Sequence, residues 1–212
     1  MKFILKKKNR SESSKRWLKN HINDFYFRKK KIKKLRSRAW FKLEQIQKKD
    51  QIIKPNMNII ELGSSPGGWS QYIINKIGKN GLLISSDILP IKPIKKVIFF
   101  QGDILKKSFV NFLIKKINNK KINLIVSDMS PNMSGIPEID VPKSIILANI
   151  SFNLSKKILF NGGNFLVKIL QGSGSEEFIK KIKSFFFKIK IRKPDASSSR
   201  SREIYILALG KK

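Results

Sequence analysis

The chain has 212 residues, no cysteine, a single histidine and a formal net charge of +32. That length suits one α/β domain with a sizeable core rather than two. The missing thiols exclude disulfides and thiolate metal sites, His21 alone cannot build a histidine metal cluster, and no metal is expected.

No apolar run approaches the roughly 18 residues of a membrane span. The N-terminus, MKFILKKKNR, lacks the apolar segment of a secretory signal, so no membrane association is expected and the expected location is cytoplasmic. A field of this sign attracts polyanions such as RNA. Part of the excess is compositional: the chain is rich in Lys, Ile and Asn, which an AT-rich genome over-supplies, and lysine runs often only solvate a face. Clustering therefore carries more weight than the total. Residues 1–35 form a basic arm with aromatics interleaved, including Arg16, Trp17, Phe25, Tyr26, Phe27 and Arg28. Such an arm binds single-stranded RNA, cations on phosphates and rings on bases, or packs its rings on the core with lysines outside, and the two are compatible. Residues 36–212 then make one domain.

Ser37 is placed to cap a helix running to about Lys48. On that helix Ala39, Lys42, Leu43 and Ile46 share the inward face, so Lys42 either snorkels to water or points into a crevice. The next stretch, Asn58 to Gln71, reads NIIELGSSPGGWSQ: a buried strand to Leu62, then a glycine-rich turn into a helix. In an open α/β sheet this turn lies where ligands bind. Pro66 has no N–H to offer a pyrophosphate, which separates the turn from a dinucleotide fingerprint. Asp87 ends the following apolar run, about 20 residues on, where a carboxylate holds a ribose hydroxyl pair. A nucleoside without a pyrophosphate fits, and S-adenosylmethionine is the expected cofactor. Taken alone, the turn reads equally well as a tight corner with no ligand.

From Asn58 onward strand and helix patterns alternate. Strands are predicted at 58–62, 81–86, 97–101, 122–127, 164–169, 187–192 and 203–209, and helices near 69–77, 105–117, 143–160 and 175–186. This predicts an α/β fold, a mainly parallel seven-stranded sheet covered on both faces. The last two strands, joined only by KPDASSSRSR, are expected to pair antiparallel as an edge hairpin.

Polar residues stand at the ends of these strands. Asp103 closes FFQGD, as an acceptor for an adenine amino group or as a plain turn residue. Asp128 closes INLIVSD. Lys168 closes GGNFLVK, an apolar setting in which a lysine needs a partner. Glu203 opens the last strand beside Arg200 and Arg202, either as a surface carboxylate paired with them or as part of a site.

The stretches LRSRAWFKLEQI, ELGSSPGGWSQ, SDMSPNMSG, VKILQG and SSSRSREIYILALG closely resemble the FtsJ/RrmJ family of 2′-O-ribose RNA methyltransferases, from near Ser13 to the C-terminus. The resemblance implies a Rossmann-like S-adenosylmethionine-dependent methyltransferase with a catalytic tetrad at Lys42, Asp128, Lys168 and Glu203. It also implies cofactor contacts at Gly67, Trp69, Asp87, Asp103 and Asp128. The expected target is a uridine 2′-OH of 23S ribosomal RNA on the large ribosomal subunit or its precursor, and the chain is expected to act as a monomer. Glu61 stands where the family more often has Asp, Ser64 and Ser65 replace small alanines, and Leu170 replaces Phe; none of these touches the tetrad.

A ribose hydroxyl is a poor nucleophile while protonated, so one proton must be handled as the methyl moves in line. Lys168 as a neutral amine is the natural base, oriented by Asp128, with Lys42 and Glu203 positioning the ribose. A charged Lys168 acting electrostatically is the alternative. Two other functions stay open at this point: a tRNA 2′-O-methyltransferase, and a non-catalytic RNA-binding assembly factor on the same fold.

Overall fold

In the computed structural model of the chain, the described residues are 32, 34–198 and 201–212. Most of the predicted basic arm, and Arg200 beside Glu203, lie outside them.

Alternation along the strands sets the layers. β1 (Asn58–Leu62) sends Ile59 to one apolar cluster and Ile60 and Leu62 to the other, all buried. Such a strand needs cover on both faces. α1 (Ala39–Asp50) and α2 (Gly68–Ile77) supply it on the Ile59 face through Leu43, Ile46, Trp69, Tyr72, Ile73 and Ile77. On the other face, α3 (Lys107–Ile117) brings Leu113 and Ile117, α4 (Pro137–Ile158) brings Phe152, and α5 (Ser175–Lys183) brings Phe178 and Ile182.

The remaining strands are β2 (Leu82–Asp87), β3 (Val97–Gln101), β4 (Ile122–Ser127), β5 (Leu159–Leu170), β6 (Phe186–Arg192) and β7 (Glu203–Lys211). They form one seven-stranded sheet in the order β3-β2-β1-β4-β5-β7-β6. β1 to β5 pair in parallel, and β7 runs antiparallel to both β5 and β6. The expected edge hairpin is present, with β7 inserted inside β6. The chain leaves β1 toward β2 on one side and later returns to β4 on the other, so a crevice opens at the carboxyl ends of β1 and β4.

Several boundaries differ from the sequence expectation. Ser37 does not cap α1: Arg38 occupies the N-cap position without a side-chain cap bond, and the Ser37 hydroxyl is buried without a partner. It is turned instead toward Gly68, where an added Cβ would meet the Ser37 Oγ at 2.0 Å. α4 starts at Pro137, not 143. Its first turn is set by Asp140, whose carboxylate accepts from the Ser134 amide and hydroxyl and from the Gly135 amide. Pro142, a residue that ordinarily breaks a helix, lies inside it. β5 starts at Leu159, directly after α4, and its pairing with β4 shifts register between Ile122 and Leu124, so the FNGG stretch is accommodated as an irregularity within the strand.

Two polar clamps fix α1 on the sheet. Asp50, at its C-terminal end, accepts from Lys190 Nζ at 2.8 Å and from Arg192 Nε at 2.6 Å, with its side chain fully buried. The Arg192 hydrogen bond is the main cause holding the Asp50 carboxyl below its ordinary range, against the opposing effect of burial. Arg36, just before α1, donates to the carbonyls of Pro66, Lys92 and Pro93. It therefore straps the glycine-rich turn to the loop after β2. Among the described residues no helix is long and apolar enough to cross a membrane, and no cluster of His, Cys, Asp and Glu could hold a metal.

Candidate active site

A cavity of about 650 Å³ opens at the carboxyl ends of β1, β2 and β4, within the range of small-molecule sites. Its floor is the turn after β1. Gly63 adopts a φ of +75°, and a Cβ there would lie 2.7 Å from Met129, so only glycine lets the loop after β4 close against the turn. Asp87 sits at the end of β2 with one oxygen accepting from the Ser65 amide at 2.7 Å and the other from Leu89 at 2.8 Å. Asp103 accepts from the Leu105 amide at 2.9 Å. Each carboxylate oxygen has lone pairs beyond these bonds for a ligand hydroxyl or amine.

The charge of this cavity opposes that of the molecule. Among the described residues its walls carry the carboxylates of Asp87, Asp103 and Asp128 and one cation, Lys143, in a chain of 46 basic and 14 acidic residues. Apolar Ile88, Ile104, Leu105 and Ile146 complete them. An acidic, mostly apolar pocket in a strongly basic protein disfavours a pyrophosphate and suits a nucleoside that bears positive charge. S-adenosylmethionine, with its sulfonium, fits this donor set.

Asp128 belongs both to the cavity and to a polar cluster beside it. It follows β4, and its Oδ1 lies 3.0 Å from Lys168 Nζ, which also donates to the Asp128 carbonyl at 2.6 Å. Lys168, third from the end of β5, points to the α1 side of the sheet, in register with Tyr205 of β7. The Tyr205 hydroxyl donates to Asp128 Oδ1 at 2.8 Å. Glu203 shares the face of Tyr205 two residues earlier, and its carboxylate receives Lys42 Nζ at 2.7 and 3.0 Å and the Ser197 hydroxyl at 2.8 Å. Lys42 comes from α1, which the Asp50 clamp presses onto this end of the sheet. The four tetrad positions thus stand as two ion pairs, Lys42–Glu203 and Asp128–Lys168, bridged by Tyr205.

Burial makes these pairs more than surface contacts. Lys168 keeps 7 % of its side-chain surface exposed, and Lys42 and Glu203 keep 13 % each. Desolvation alone would raise the Glu203 carboxyl, yet the charge and hydrogen bond of Lys42, the charge of Lys168 and the Ser197 hydroxyl outweigh it and hold the group below its ordinary value. Burial, followed by the charges of Asp128 and Glu203, pushes the Tyr205 phenol well above its usual range. Tyr205 is therefore a neutral donor and not a base. The sequence reading missed both Tyr205 and Ser197: the i+2 spacing of Tyr205 from Glu203 was a signal that could have found it, whereas Ser197, in an irregular loop, carried none.

Not every expected cofactor residue lines the cavity. Asp87, Asp103 and Asp128 do. Gly67 and Trp69 lie outside its lining: Gly67 is the N-cap of α2 with a φ of +102°, and Trp69 is buried, its indole N–H donating to the Ala39 carbonyl at 2.8 Å and its ring packed on Tyr205. Their side of the turn joins α1 to α2. Glu61 has a larger place than its sequence position implied. Fully buried on the α2 face of β1, it accepts from the hydroxyls of Ser70 and Ser85 at 2.5 and 2.7 Å, both on Oε2, while Oε1 has no partner. Burial outweighs those bonds and pushes its carboxyl up to about 7.

This architecture recurs in solved structures. A protein assigned as a ribosomal RNA methyltransferase from Plasmodium falciparum superposes with a TM-score of 0.74 at 28 % identity, over 83 % of this chain and 98 % of that one. Human methyltransferase-like protein 13, in complex with SAH, shares the fold alone, with a TM-score of 0.56 at 12 % identity over 73 % of this chain and 72 % of that one. The model of the FtsJ-like methyltransferase family matches residues 35–211, which span α1, the cavity and both ion pairs. The chain belongs to the FtsJ-like methyltransferase family.

Proposed function

We propose that this protein transfers a methyl group to the ribose 2′-OH of a uridine in 23S ribosomal RNA, on the large ribosomal subunit or its precursor. The methyl donor is S-adenosylmethionine, which supplies an electrophilic methyl on a sulfonium when bound. The observation that carries the proposal is the Asp128–Lys168 pair at the lip of an acidic nucleoside cavity, coupled through Tyr205 to Glu203 and Lys42.

Asp87 and Asp103 are the residues for the nucleoside hydroxyls and adenine amino group, and Asp128 is the carboxylate between cofactor and substrate. Gly67 and Trp69 contribute through the turn they shape. Lys168 handles the proton. Paired with Asp128 it rests as an ammonium and must first give one proton to solvent; the amine then has two N–H groups, which the Asp128 carbonyl and Oδ1 take, and one lone pair, which is left for the 2′-hydroxyl proton. Asp128 thereby orients the base, and Tyr205 holds Asp128 in turn. Lys42, fixed by an ionised Glu203, supplies positive charge toward the oxygen as it loses its proton.

A strongly basic surface supports an RNA substrate, although several cations, among them Arg36, Lys190 and Arg192, are committed to internal bonds. All four tetrad residues come from one chain, which supports a monomer as the working unit. Lys168→Ala is expected to abolish methyl transfer in a single-turnover assay while leaving S-adenosylmethionine and RNA binding intact; near-normal turnover would remove Lys168 from the base role. Mapping 2′-O-methyl positions in ribosomal RNA from cells with and without the protein tests the target. Loss of a mark in tRNA in place of the ribosomal site would reassign the substrate.

A further inference from the structure

Glu61 is a buried acid that the transfer chemistry does not use, held between β1, α2 and β2, of which β1 and β2 lead directly into the cavity lining. From β1 it lies two residues before Gly63, from α2 it is met by Ser70, and from β2 by Ser85, whose neighbours Ser86 and Asp87 line the cavity. Its Oε2 takes two hydroxyl donors and its Oε1 takes none, at zero exposure. An ionised carboxylate with an unpartnered buried oxygen is costly, whereas a protonated one carries its own hydrogen there.

The charged groups around it point the same way. Ser70 and Ser85 are neutral, the Asp128 carboxylate at the end of β4 repels a second negative charge, and Lys168 is already bound to Asp128. Asp87 and Asp103 add two more carboxylates to the cavity wall. With the cavity empty, Lys143 and Lys168 face three carboxylates, so a further negative charge on Glu61 adds to an existing excess. A cation seated in the cavity changes that balance.

We propose that Glu61 is a charge-discriminating residue of the cofactor site: it holds its proton when the site is empty or contains a neutral thioether, and releases it to solvent when a sulfonium cofactor binds. The protein thereby favours the methyl donor over S-adenosylhomocysteine, the product that has lost the positive charge. Because binding and proton release are linked, the preference is reciprocal: ionised Glu61 binds the sulfonium more tightly, and the ratio of donor to product affinity rises with pH. This inference rests on the S-adenosylmethionine site alone and is independent of which RNA is methylated.

The test is isothermal titration calorimetry of the whole chain with S-adenosylmethionine and with S-adenosylhomocysteine, each in two buffers of different ionisation enthalpy, which counts protons exchanged. Both ligands share the amino-acid and adenosine parts, so their difference isolates the sulfonium. With the Glu61 carboxyl pushed up to about 7, the donor should release more protons than the product at and below neutral pH, where the empty site retains the proton, and the difference should vanish toward pH 9. Glu61→Gln should abolish the difference and make the affinity ratio independent of pH, and Glu61→Asp should retain part of it. Equal proton counts for the two ligands in the wild-type protein would overturn the proposal, as would a difference that survives in Glu61→Gln. The wild-type comparison stands even if a variant fails to fold. No RNA enters the experiment, so its failure leaves the proposed ribose target untouched.

Discussion

Gly68, the first residue of α2, offers the sharpest stability test of how the cofactor turn is held. Its backbone is not among the left-handed glycines, so alanine can adopt its conformation and would gain up to about 1 kcal/mol of helix propensity. Sterics oppose that gain: the new Cβ would sit 2.0 Å from Ser37 Oγ and 3.2 Å from Ser37 Cβ. Forced overpacking of this kind costs roughly 1–3 kcal/mol. For a domain of this size each kcal/mol moves Tm by about 2–4 °C, so Gly68→Ala should lower Tm by several degrees. Ser37→Ala removes the closer contact and deletes a buried hydroxyl that has no partner. By itself Ser37→Ala should be neutral or mildly stabilising, and combined with Gly68→Ala it should recover most of the lost stability. Thermal melts of the four proteins measure this coupling directly, and titration with S-adenosylmethionine reports whether the turn moves with the helix. A double variant no more stable than Gly68→Ala would refute the packing of residue 37 against the start of α2.

Tyr205→Phe deletes the hydroxyl that holds Asp128, a bond to a charged group worth about 1.5–3 kcal/mol; kcat should fall roughly tenfold or more with S-adenosylmethionine affinity unchanged, and an unaltered kcat would dissolve the bridge between the ion pairs. The pH dependence follows from Glu203, whose folded value lies below its ordinary 4.5. The Lys42–Glu203 pair is therefore complete above about pH 4.5 and is lost only as pH falls through the depressed value, so this pair contributes no inflection near neutrality. Ser197→Ala withdraws one of the bonds that lower Glu203, and should move the acid limb of the kcat profile to higher pH while the neutral plateau of cofactor affinity stays put; a stationary limb would separate Ser197 from Glu203.

The amino-acid sequence by itself determined the layers and the location of the site. Apolar periodicity is a local property, so the strands, most helices and the antiparallel close of the sheet could be read from it, as could the glycine-rich turn and the carboxylate of Asp87 that follows it. Polar residues at strand ends marked Asp128 and Lys168, because a lysine finishing an apolar strand requires a partner. Tertiary structure decided which partners meet. Lys42 reaches Glu203 across 161 positions, and Tyr205 reaches Asp128 across 77, only because β7 inserts between β5 and β6 and Asp50 draws α1 onto that edge. The start of α4 was equally hidden, since Pro142 argues against a helix until the loop at Ser134 folds back to bond Asp140. Glu61 looked like a conservative exchange and became a buried, half-satisfied acid two residues before the glycine-rich turn. Hydrogen bonds between distant segments and the cost of burying charge depend on topology, and no window of sequence contains them.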